Sequence, residues 1–123
     1  MAGRFIPWTI EVRALATELR RGGAWRRQAA TVDITVHALA PAFPQTIDDC
    51  IDYQPICEHV LGAWSDDASG ALPEQAVRDL IAYILDRDGR VKQVDVALTT
   101  GGVTLRVAQA REAWVIRESR LVA

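Results

Sequence analysis

Residues 47–64, IDDCIDYQPICEHVLGAW, contain the point at which the hydrophobic pattern of this chain changes from strand to helix. Apolar residues recur there at every fourth position, which is the spacing of one face of an amphipathic helix. These residues are Ile56, Val60 and Trp64. Pro55 suits the first turn of a helix, and the carboxylate of Asp52 is a candidate N-cap. The stretch therefore predicts a helix whose entrance carries an aromatic hydroxyl, that of Tyr53.

Two segments that precede this stretch alternate between apolar and polar residues, as half-buried strands do. The first is FIPWTIEVRALATEL (5–19), and the second is ATVDITVHALAP (30–41), which ends at Pro41 and Pro44. One side of the second strand carries Val32, Ile34, Val36 and Ala38. Between the two strands, LRRGGAWRRQ (19–28) contains a glycine pair and four arginines and predicts a turn or a flexible loop.

The residues that follow predict a second helix and two further strands. SDDASG (65–70) is predicted to be a solvated loop, and a helix is predicted from Pro73 to a C-cap at Gly89. The apolar stripe of this helix consists of Ala76, Val77, Leu80, Ile81, Ile84 and Leu85. The predicted strands are VKQVDVALTT (91–100) and AWVIRESR (113–120), with the connection GGVTLRVAQAR (101–111) between them.

The order of these elements is ββααββ, which predicts a single α+β domain over residues 1–123. Its architecture is a four-stranded antiparallel sheet with both helices on one face. A chain of this length supports one modest core. The second face of such a sheet needs a cover, and its two edge strands need partners. Association with further copies of the chain would meet both needs, and the sequence therefore predicts it.

Composition excludes several classes of function. Half of the 123 residues are hydrophobic and 24% are charged, a balance typical of ordered globular proteins. The chain has no apolar run long enough to span a membrane, and its N-terminal residues lack the apolar core of a signal peptide. The sequence therefore predicts a cytoplasmic protein with no membrane partner, in which Cys50 and Cys57 are reduced. With His37 and His59 as the two histidines, no metal site is expected.

Charge is unevenly distributed, although the net charge is only −2. Residues 1–40 carry six arginines against three acids, residues 41–80 carry one arginine against eight acids, and residues 81–123 carry seven bases against five acids. This balance does not fit a nucleic-acid footprint. RRGGAWRR (20–27) places four arginines around Trp25, as in short segments that stack on nucleic acid, but a solvated loop is the simpler interpretation. We therefore expect no nucleic-acid partner.

Three stretches occur in an order and spacing that are typical of one family of enzymes. They are IDDCIDYQPICEHV (47–60), ALPEQAVRDLIAYIL (71–85) and VKQVDVAL (91–98). The first has an acidic run that leads through a tyrosine into a helix, the second has a Leu-X-Glu helix opening, and the third is an alternating strand. In these features the chain resembles the dihydroneopterin aldolase and epimerase family over roughly residues 5–120.

The resemblance implies the tunnelling fold (T-fold), in which the sheets of four subunits join into a barrel. Self-association into a tetramer or a stacked octamer is implied with it, as are sites for a reduced pterin at the subunit interfaces. Members of the family cleave dihydroneopterin to hydroxymethyl-dihydropterin and glycolaldehyde in folate synthesis, and some epimerise the substrate side chain. They use no metal and no Schiff base, and no cofactor is expected here.

The resemblance also implies roles for individual residues. Glu74, beside Leu72, matches the pterin-binding glutamate, and a carboxylate there can accept two parallel N–H bonds from the amino-pyrimidinone edge of a pterin. Tyr53 matches the active-site tyrosine, whose phenol contacts the substrate and can relay a proton on its hydroxyl during retro-aldol cleavage. Simpler interpretations remain open for both, as a helix-start glutamate and as an amphipathic surface tyrosine.

The site lysine of the family has no counterpart in this chain. The register puts Thr100 at its position, and Lys92, the only lysine, lies roughly 26 Å earlier along the same strand at ~3.3 Å per residue. Lys92 is therefore not expected to replace it within one subunit. Arg106 or Arg111 could supply a cation, but an arginine is a poor proton donor and acceptor because it stays charged.

A glutamate in the first loop of the family is missing as well. Its position falls near Gly22 or Gly23, and the nearest acid, Glu18, lies about four residues too early. The two departures leave two functions open. One is a lyase or epimerase that acts on a reduced pterin, and the other is a non-catalytic pterin-binding or assembly homologue that has lost the aldolase lysine.

Overall fold

The computed structural model describes residues 4–21, 26–68 and 72–111, whose strands form one antiparallel sheet. The strands are β1 (Phe5–Arg21), β2 (Arg26–Pro41), β3 (Val91–Thr100) and β4 (Val103–Ala110). They lie in the order β1-β2-β3-β4, and each is hydrogen-bonded to the next. The predicted four-stranded antiparallel sheet is therefore confirmed.

The helices of the described chain lie between β2 and β3. A short 3₁₀ turn at Ile47–Asp49 precedes a continuous helical run. This run consists of α1 (Gln54–His59), a π-helical turn (Val60–Trp64) and α2 (Ser65–Ala68), and it is followed by α3 (Pro73–Arg87). Gly62 departs from helical geometry inside the π-helical turn, with φ −119° and ψ −105°. With the first run taken as one helix, the predicted ββααββ order of a T-fold is confirmed.

A single hydrophobic cluster joins one face of the sheet to the helices. The strands contribute alternate residues, namely Val32, Ile34, Val36 and Ala38 of β2 and Val94, Val96 and Leu98 of β3. The helices contribute Ile56, Val60, Trp64 and the six residues of the predicted α3 stripe. Each large aliphatic side chain buried in this way contributes about 1.5–3 kcal/mol. The period of each segment predicts these residues correctly because burial follows the face of the element.

The predicted connection at 101–111 is wrong, because most of it forms β4. Gly101 and Gly102 have φ values of 58° and 79° and make a two-residue turn, so that Thr100 pairs with Val103. Two successive positive φ angles are the geometry of a hairpin turn whose twist matches that of the strands. Leu105 and Val107 then pack against the core. The strand predicted at 113–120 lies outside the described residues.

The predicted turn at 19–28 is shorter than expected, since β1 continues to Arg21 and β2 begins at Arg26. Residues 22–25 lie outside the described part of the chain. The predicted solvated loop at 65–70 is also wrong over its first four residues, which form α2. Ser65 and Ala68 are buried there, and Ala68 continues the four-residue spacing of Ile56, Val60 and Trp64.

Two predicted caps are displaced by one residue. Tyr53 is the N-cap of α1, while Asp52 accepts a hydrogen bond of 3.1 Å from the Gln54 amide and so still serves the helix entrance. The C-cap of α3 is Asp88, in an extended conformation. Gly89 instead lies in a tight turn closed by the bond from the Val91 amide to the Asp88 carbonyl, at 3.1 Å.

The edge strand β1 contains a β-bulge. The register with β2 shifts between Val12 and Leu15, so that Arg13 and Ala14 together lie opposite Asp33. Ala14 has φ 52°, and its amide donates a hydrogen bond of 2.6 Å to Asp33 Oδ1. The carboxylate therefore satisfies the backbone amide at the bulge, where the regular ladder is interrupted.

The second face of the sheet is polar. Thr35, His37 and Asp95 lie on it, with His37 Nε2 3.6 Å from Asp95 Oδ2. In the described ranges, the helices include none that is both long and apolar enough to cross a membrane.

Candidate functional site

Glu74 lies in the first turn of α3, and its side chain is exposed. It forms no hydrogen bond or ion pair with any other described residue. Leu72 is the N-cap of α3, in an extended conformation, and is 74% exposed. Pro73 occupies the first helical position, where its missing N–H costs nothing. A free carboxylate and an apolar side chain are therefore both available to a ligand at the N-terminus of α3.

A buried tryptophan fixes this end of α3. Trp64 Nε1 donates a hydrogen bond of 2.8 Å to the carbonyl of Ala76, and Trp64 is almost completely buried. The Ala76 amide donates in turn to the Leu72 carbonyl at 2.9 Å. The π-helical turn that contains Trp64 thus holds the first turn of α3, and such turns are frequent at functional sites.

Thr100, which the resemblance places at the position of the family lysine, is the last residue of β3. It pairs with Ala30, and its hydroxyl donates a hydrogen bond of 3.3 Å to the carbonyl of Ala29. Because α3 and β3 are joined by a tight turn and run in opposite directions, the N-terminus of α3 and the C-terminus of β3 lie at the same end of the protomer. Glu74, Leu72 and Thr100 therefore share one end.

Tyr53 lies at the other end. It is 55% exposed and lines a cavity of about 490 Å³ with Ile84 and Arg87 of the last turns of α3 and Val91 of β3. Arg87 follows Glu74 by 13 residues, so Tyr53 and Glu74 are separated by roughly 20 Å along the helix at 1.5 Å per residue. Within one protomer, the structure does not bring these two predicted site residues together.

Arg90 connects the segment before Tyr53 to the turn between α3 and β3. Its Nη1 donates to the carbonyls of Asp48 and Asp49 at 3.3 and 3.0 Å, and its Nη2 donates to the carbonyl of Cys50 at 3.3 Å. Its Nη2 also contacts Asp88 Oδ2 at 2.7 Å. Sequence analysis does not find Arg90, because its partners on the other segment lie about 40 residues earlier and no local pattern links them.

This cluster shifts the pKa values of its members. The hydrogen bond from Arg90 lowers the pKa of Asp88, and the same carboxylate raises the pKa of Arg90. Hydrogen bonds from the amides of Gln45 and Thr46 lower the pKa of Asp49. Asp88 and Asp49 are therefore ionised at neutral pH, and the segment that leads to Tyr53 is held by charge-assisted hydrogen bonds.

The other basic residues that could supply a cation do not lie beside Thr100. Arg111 Nε donates to the carbonyl of Val91 at 2.6 Å, and its guanidinium also contacts the carbonyls of Leu85 and Asp88 at the C-terminus of α3. Lys92 Nζ donates to the carbonyl of Gly89 at 3.0 Å. Both residues are therefore at the Tyr53 end of the protomer. Arg106 is opposite Ala97 on β4, on the polar face of the sheet.

Glu18 does not take the place of the loop glutamate that the resemblance implies. Glu18 is part of β1 and pairs with Ala29, whereas Thr100 pairs with the next residue, Ala30. Successive residues of a strand point to opposite faces, so Glu18 and Thr100 lie on opposite faces of the sheet. Across the described ranges, acidic, histidine and cysteine side chains form no group of three or more that could hold a metal ion.

Neither family models nor curated protein sequences match this chain, but solved structures do. Dihydroneopterin aldolase from Burkholderia thailendensis bound to guanine is 15% identical, with a TM-score of 0.64 over 86% of this chain and 93% of that one. Escherichia coli dihydroneopterin aldolase in complex with neopterin is 19% identical, with a TM-score of 0.59 over 80% and 97%. A candidate dihydroneopterin aldolase from Vibrio cholerae is 17% identical, with a TM-score of 0.69 over 90% and 100%.

These matches extend over nearly the full length of each solved chain, so they concern the whole arrangement of strands and helices and not one motif. The resemblance found in the sequence is thereby confirmed at the level of architecture: this divergent chain has the tunnelling fold of the dihydroneopterin aldolases.

Proposed function

We propose that this protein binds a reduced pterin between two of its protomers and acts on the pterin side chain as an aldolase-type lyase or as an epimerase. The proposal treats residues 1–123 as one such domain. Glu74 and Leu72 of one protomer bind the ring, and Tyr53 of the other faces the side chain. No metal and no cofactor takes part.

One observation carries this proposal: the exposed carboxylate of Glu74 at the N-terminus of α3, which has no partner among the described residues. Guanine and neopterin, the ligands of two solved proteins with this fold, share an amino-pyrimidinone edge with two parallel N–H donors. A carboxylate is the complementary acceptor, and charge-assisted bonds of this kind are among the stronger ones in proteins. The exposed side chain of Leu72 supplies an apolar surface beside that edge.

The separation of Tyr53 from Glu74 supports a site that is shared between protomers. A ligand of pterin size is much shorter than the roughly 20 Å that separates the two residues along α3. Both can therefore contact one ligand only if they come from different copies of the chain. β1 and β4 are the edge strands of the described sheet and offer a route to such an assembly, and we propose a tetramer or octamer.

The reaction requires proton transfer but no redox change. A proton leaves the side-chain hydroxyl on the carbon that becomes glycolaldehyde, the bond between the first two side-chain carbons breaks, and its electrons pass into the dihydropterin ring. A proton then returns to the carbon that stays on the ring. The Tyr53 hydroxyl can hold or relay these protons. Thr100 cannot supply a cation, so we expect slower turnover than with a lysine.

A non-catalytic pterin-binding or assembly role is the second candidate. It is favoured by the neutral Thr100 at the lysine position, since its hydroxyl is already bonded to the Ala29 carbonyl. The binding half of the site does not depend on this residue. Recognition without turnover would then be the function.

Incubation of the purified protein with dihydroneopterin tests the two candidates. Release of glycolaldehyde above the rate without protein supports the lyase, and conversion to the side-chain epimer supports the epimerase. Neopterin binding without either product supports the non-catalytic role. Failure to bind neopterin, measured by quenching of its fluorescence or by calorimetry, would exclude the lyase, the epimerase and the pterin-binding role, and would leave only the assembly role.

Mixing two impaired variants tests whether the site is shared. Glu74→Gln and Tyr53→Phe are each expected to be impaired, but random mixed assemblies combine an intact Glu74 and an intact Tyr53 in about a quarter of the sites. Activity or tight binding should therefore reappear after the two variants are unfolded and refolded together. If both residues served one site within a protomer, mixing would restore nothing.

A further inference from the structure

The segment that delivers Tyr53 to the helix entrance has little regular structure of its own. Between the 3₁₀ turn and α1, residues 50–53 belong to no helix or strand. Local support comes from the Cys50 amide, which donates to the Ile47 carbonyl at 3.1 Å, and from the Gln54 amide, which donates to Asp52. A side chain on such a segment keeps a fixed position only if tertiary contacts hold the backbone.

The side chain of Ile51 is buried in the core, and Arg90 supplies the polar contacts to the backbone. Its planar guanidinium donates to three successive carbonyls, those of Asp48, Asp49 and Cys50. Asp88 holds the guanidinium from the other side through Nε and Nη2, at 3.0 and 2.7 Å. The Arg90 and Asp88 side chains are only 29% and 27% exposed, so solvent competes weakly for these bonds. The backbone before Tyr53 is thereby fixed to the rigid junction of α3 and β3.

We propose that Arg90 is a positioning residue for Tyr53: it fixes the backbone three residues before the tyrosine and so sets where the phenol enters the pterin site of a neighbouring protomer. This inference rests on the proposed function, which gives Tyr53 its role. Arg90 also lines the 490 Å³ cavity that Tyr53 borders, so its loss would change the shape of this wall.

Lysine at position 90 would not reproduce this geometry. An ammonium keeps the ion pair with Asp88, but it is a point charge without the planar fork that reaches three carbonyls and a carboxylate together. Arg90→Lys therefore preserves the charge of the cluster and removes its geometry. Because Arg90→Lys keeps the positive charge, any effect of this variant reports the loss of the hydrogen-bond geometry.

Hydrogen exchange tests the structural half of the proposal in the full-length protein. In Arg90→Lys we expect the amides of Cys50 and Gln54 to exchange at least about tenfold faster, because the local opening of their segment becomes more favourable. The amide of Ala76 at the Glu74 end is the internal reference and should not change. Unchanged exchange at Cys50 and Gln54 would overturn the proposal.

A double-mutant cycle tests the functional half. Arg90→Lys should lower kcat for glycolaldehyde release by about 10–100-fold with KM changed less than about threefold, since displaced catalytic groups lose rate before affinity. In a Tyr53→Phe background the same change should cost less than about twofold, because the hydroxyl whose position it sets is gone. Equal losses in both backgrounds would show that Arg90 does not act through Tyr53.

Arg13→Lys is the matched control. Arg13 also pairs with a carboxylate two residues away in sequence, Glu11, but on the exposed surface of β1. It should change neither hydrogen exchange at Cys50 nor kcat. If the wild-type protein binds no neopterin, the proposed function fails, whereas the exchange experiment still decides whether Arg90 holds the segment. The two failures are therefore distinguishable.

Discussion

The indole Nε1 of Trp64 donates a hydrogen bond of 2.8 Å to the carbonyl of Ala76, which joins the π-helical turn to the first turn of α3. Glu74 lies between Ala76 and Leu72, which are themselves linked by a backbone hydrogen bond. The position of the candidate pterin-binding carboxylate thus depends on an aromatic side chain from a different helical segment. This dependence can be measured.

Trp64→Phe should lower the free energy of unfolding by about 2 kcal/mol, through the lost hydrogen bond and the smaller ring, and should weaken neopterin binding. Trp8→Phe is the matched control, because Trp8 Nε1 is buried with no hydrogen-bond partner in the described chain. Trp8→Phe should therefore lower the free energy of unfolding by less than Trp64→Phe does. Urea denaturation compares the two, and an equal or larger effect of Trp8→Phe would contradict the assignment.

Glu74→Gln should weaken neopterin binding by about ten- to a hundredfold, because the amide can accept only one of the two N–H bonds and loses the charge. Asp79→Asn, on an exposed position of the same helix, should leave the affinity unchanged. Calorimetric titration of both variants gives the comparison. Wild-type affinity in Glu74→Gln would remove Glu74 from the site.

Thr100→Lys should raise the rate of glycolaldehyde release by at least about tenfold, because it places an ammonium at the end of β3 on the face that Ala30 shares. Thr99→Lys puts the same charge one residue earlier, on the opposite face of the sheet, and should have no effect. The initial rate of product formation is the measurement. Equal rates in the two variants would argue against a role for position 100.

The ion pair between Asp88 and Arg90 leads us to expect a loss of stability in acid. Its pKa is lowered by Arg90, so the ionised form stabilises the fold above the unfolded-state value near 3.9, and this contribution disappears as the pH falls through the lower folded-state pKa. Asp88→Asn should therefore lower Tm at pH 7 but not at about pH 2. Glu11→Gln, in an exposed ion pair, should change Tm little at either pH. Thermal unfolding is measured between these two pH values. If Asp88 did not act through its charge, the difference in Tm between Asp88→Asn and the wild type would not change with pH.

The hairpin between β3 and β4 gives a prediction about stability alone. Gly102→Ala should cost about 1–2 kcal/mol, because φ 79° is strained for a residue with a Cβ even though space is free around it. Gly89→Ala is the control, since Gly89 also has free space but no positive φ. Chemical denaturation of both proteins should separate them. Similar values would contradict the turn geometry.

Much of the fold could be predicted because each segment has one dominant period. The α3 stripe and the alternating residues of β2 and β3 are buried as the pattern indicates. The sequence does carry a signal for β4, since a glycine pair followed by alternating residues is typical of a hairpin. The short helix at 65–68 is harder to predict, because its acidic residues resemble a loop although Ala68 continues the spacing of the buried face.

The candidate site was less accessible to sequence analysis. Glu74 and Tyr53 could be named from short motifs, but their separation follows from the direction of α3 and is not encoded locally. The same holds for Arg90, whose bonds to residues 48–50 depend on the packing of distant segments. The candidate residues can therefore be named from the sequence. Their positions at different ends of a protomer depend on tertiary packing, which no local pattern predicts.

The bulge at Arg13 and Ala14 has a consequence for how copies of the chain can meet. A strand of 17 residues at the edge of a sheet would otherwise present a long template for unlimited fibre growth. The interruption held by Asp33 divides this edge into two short stretches of different direction. We expect this bend to keep a neighbouring strand from following the whole edge, which would favour closed assemblies over open-ended polymers.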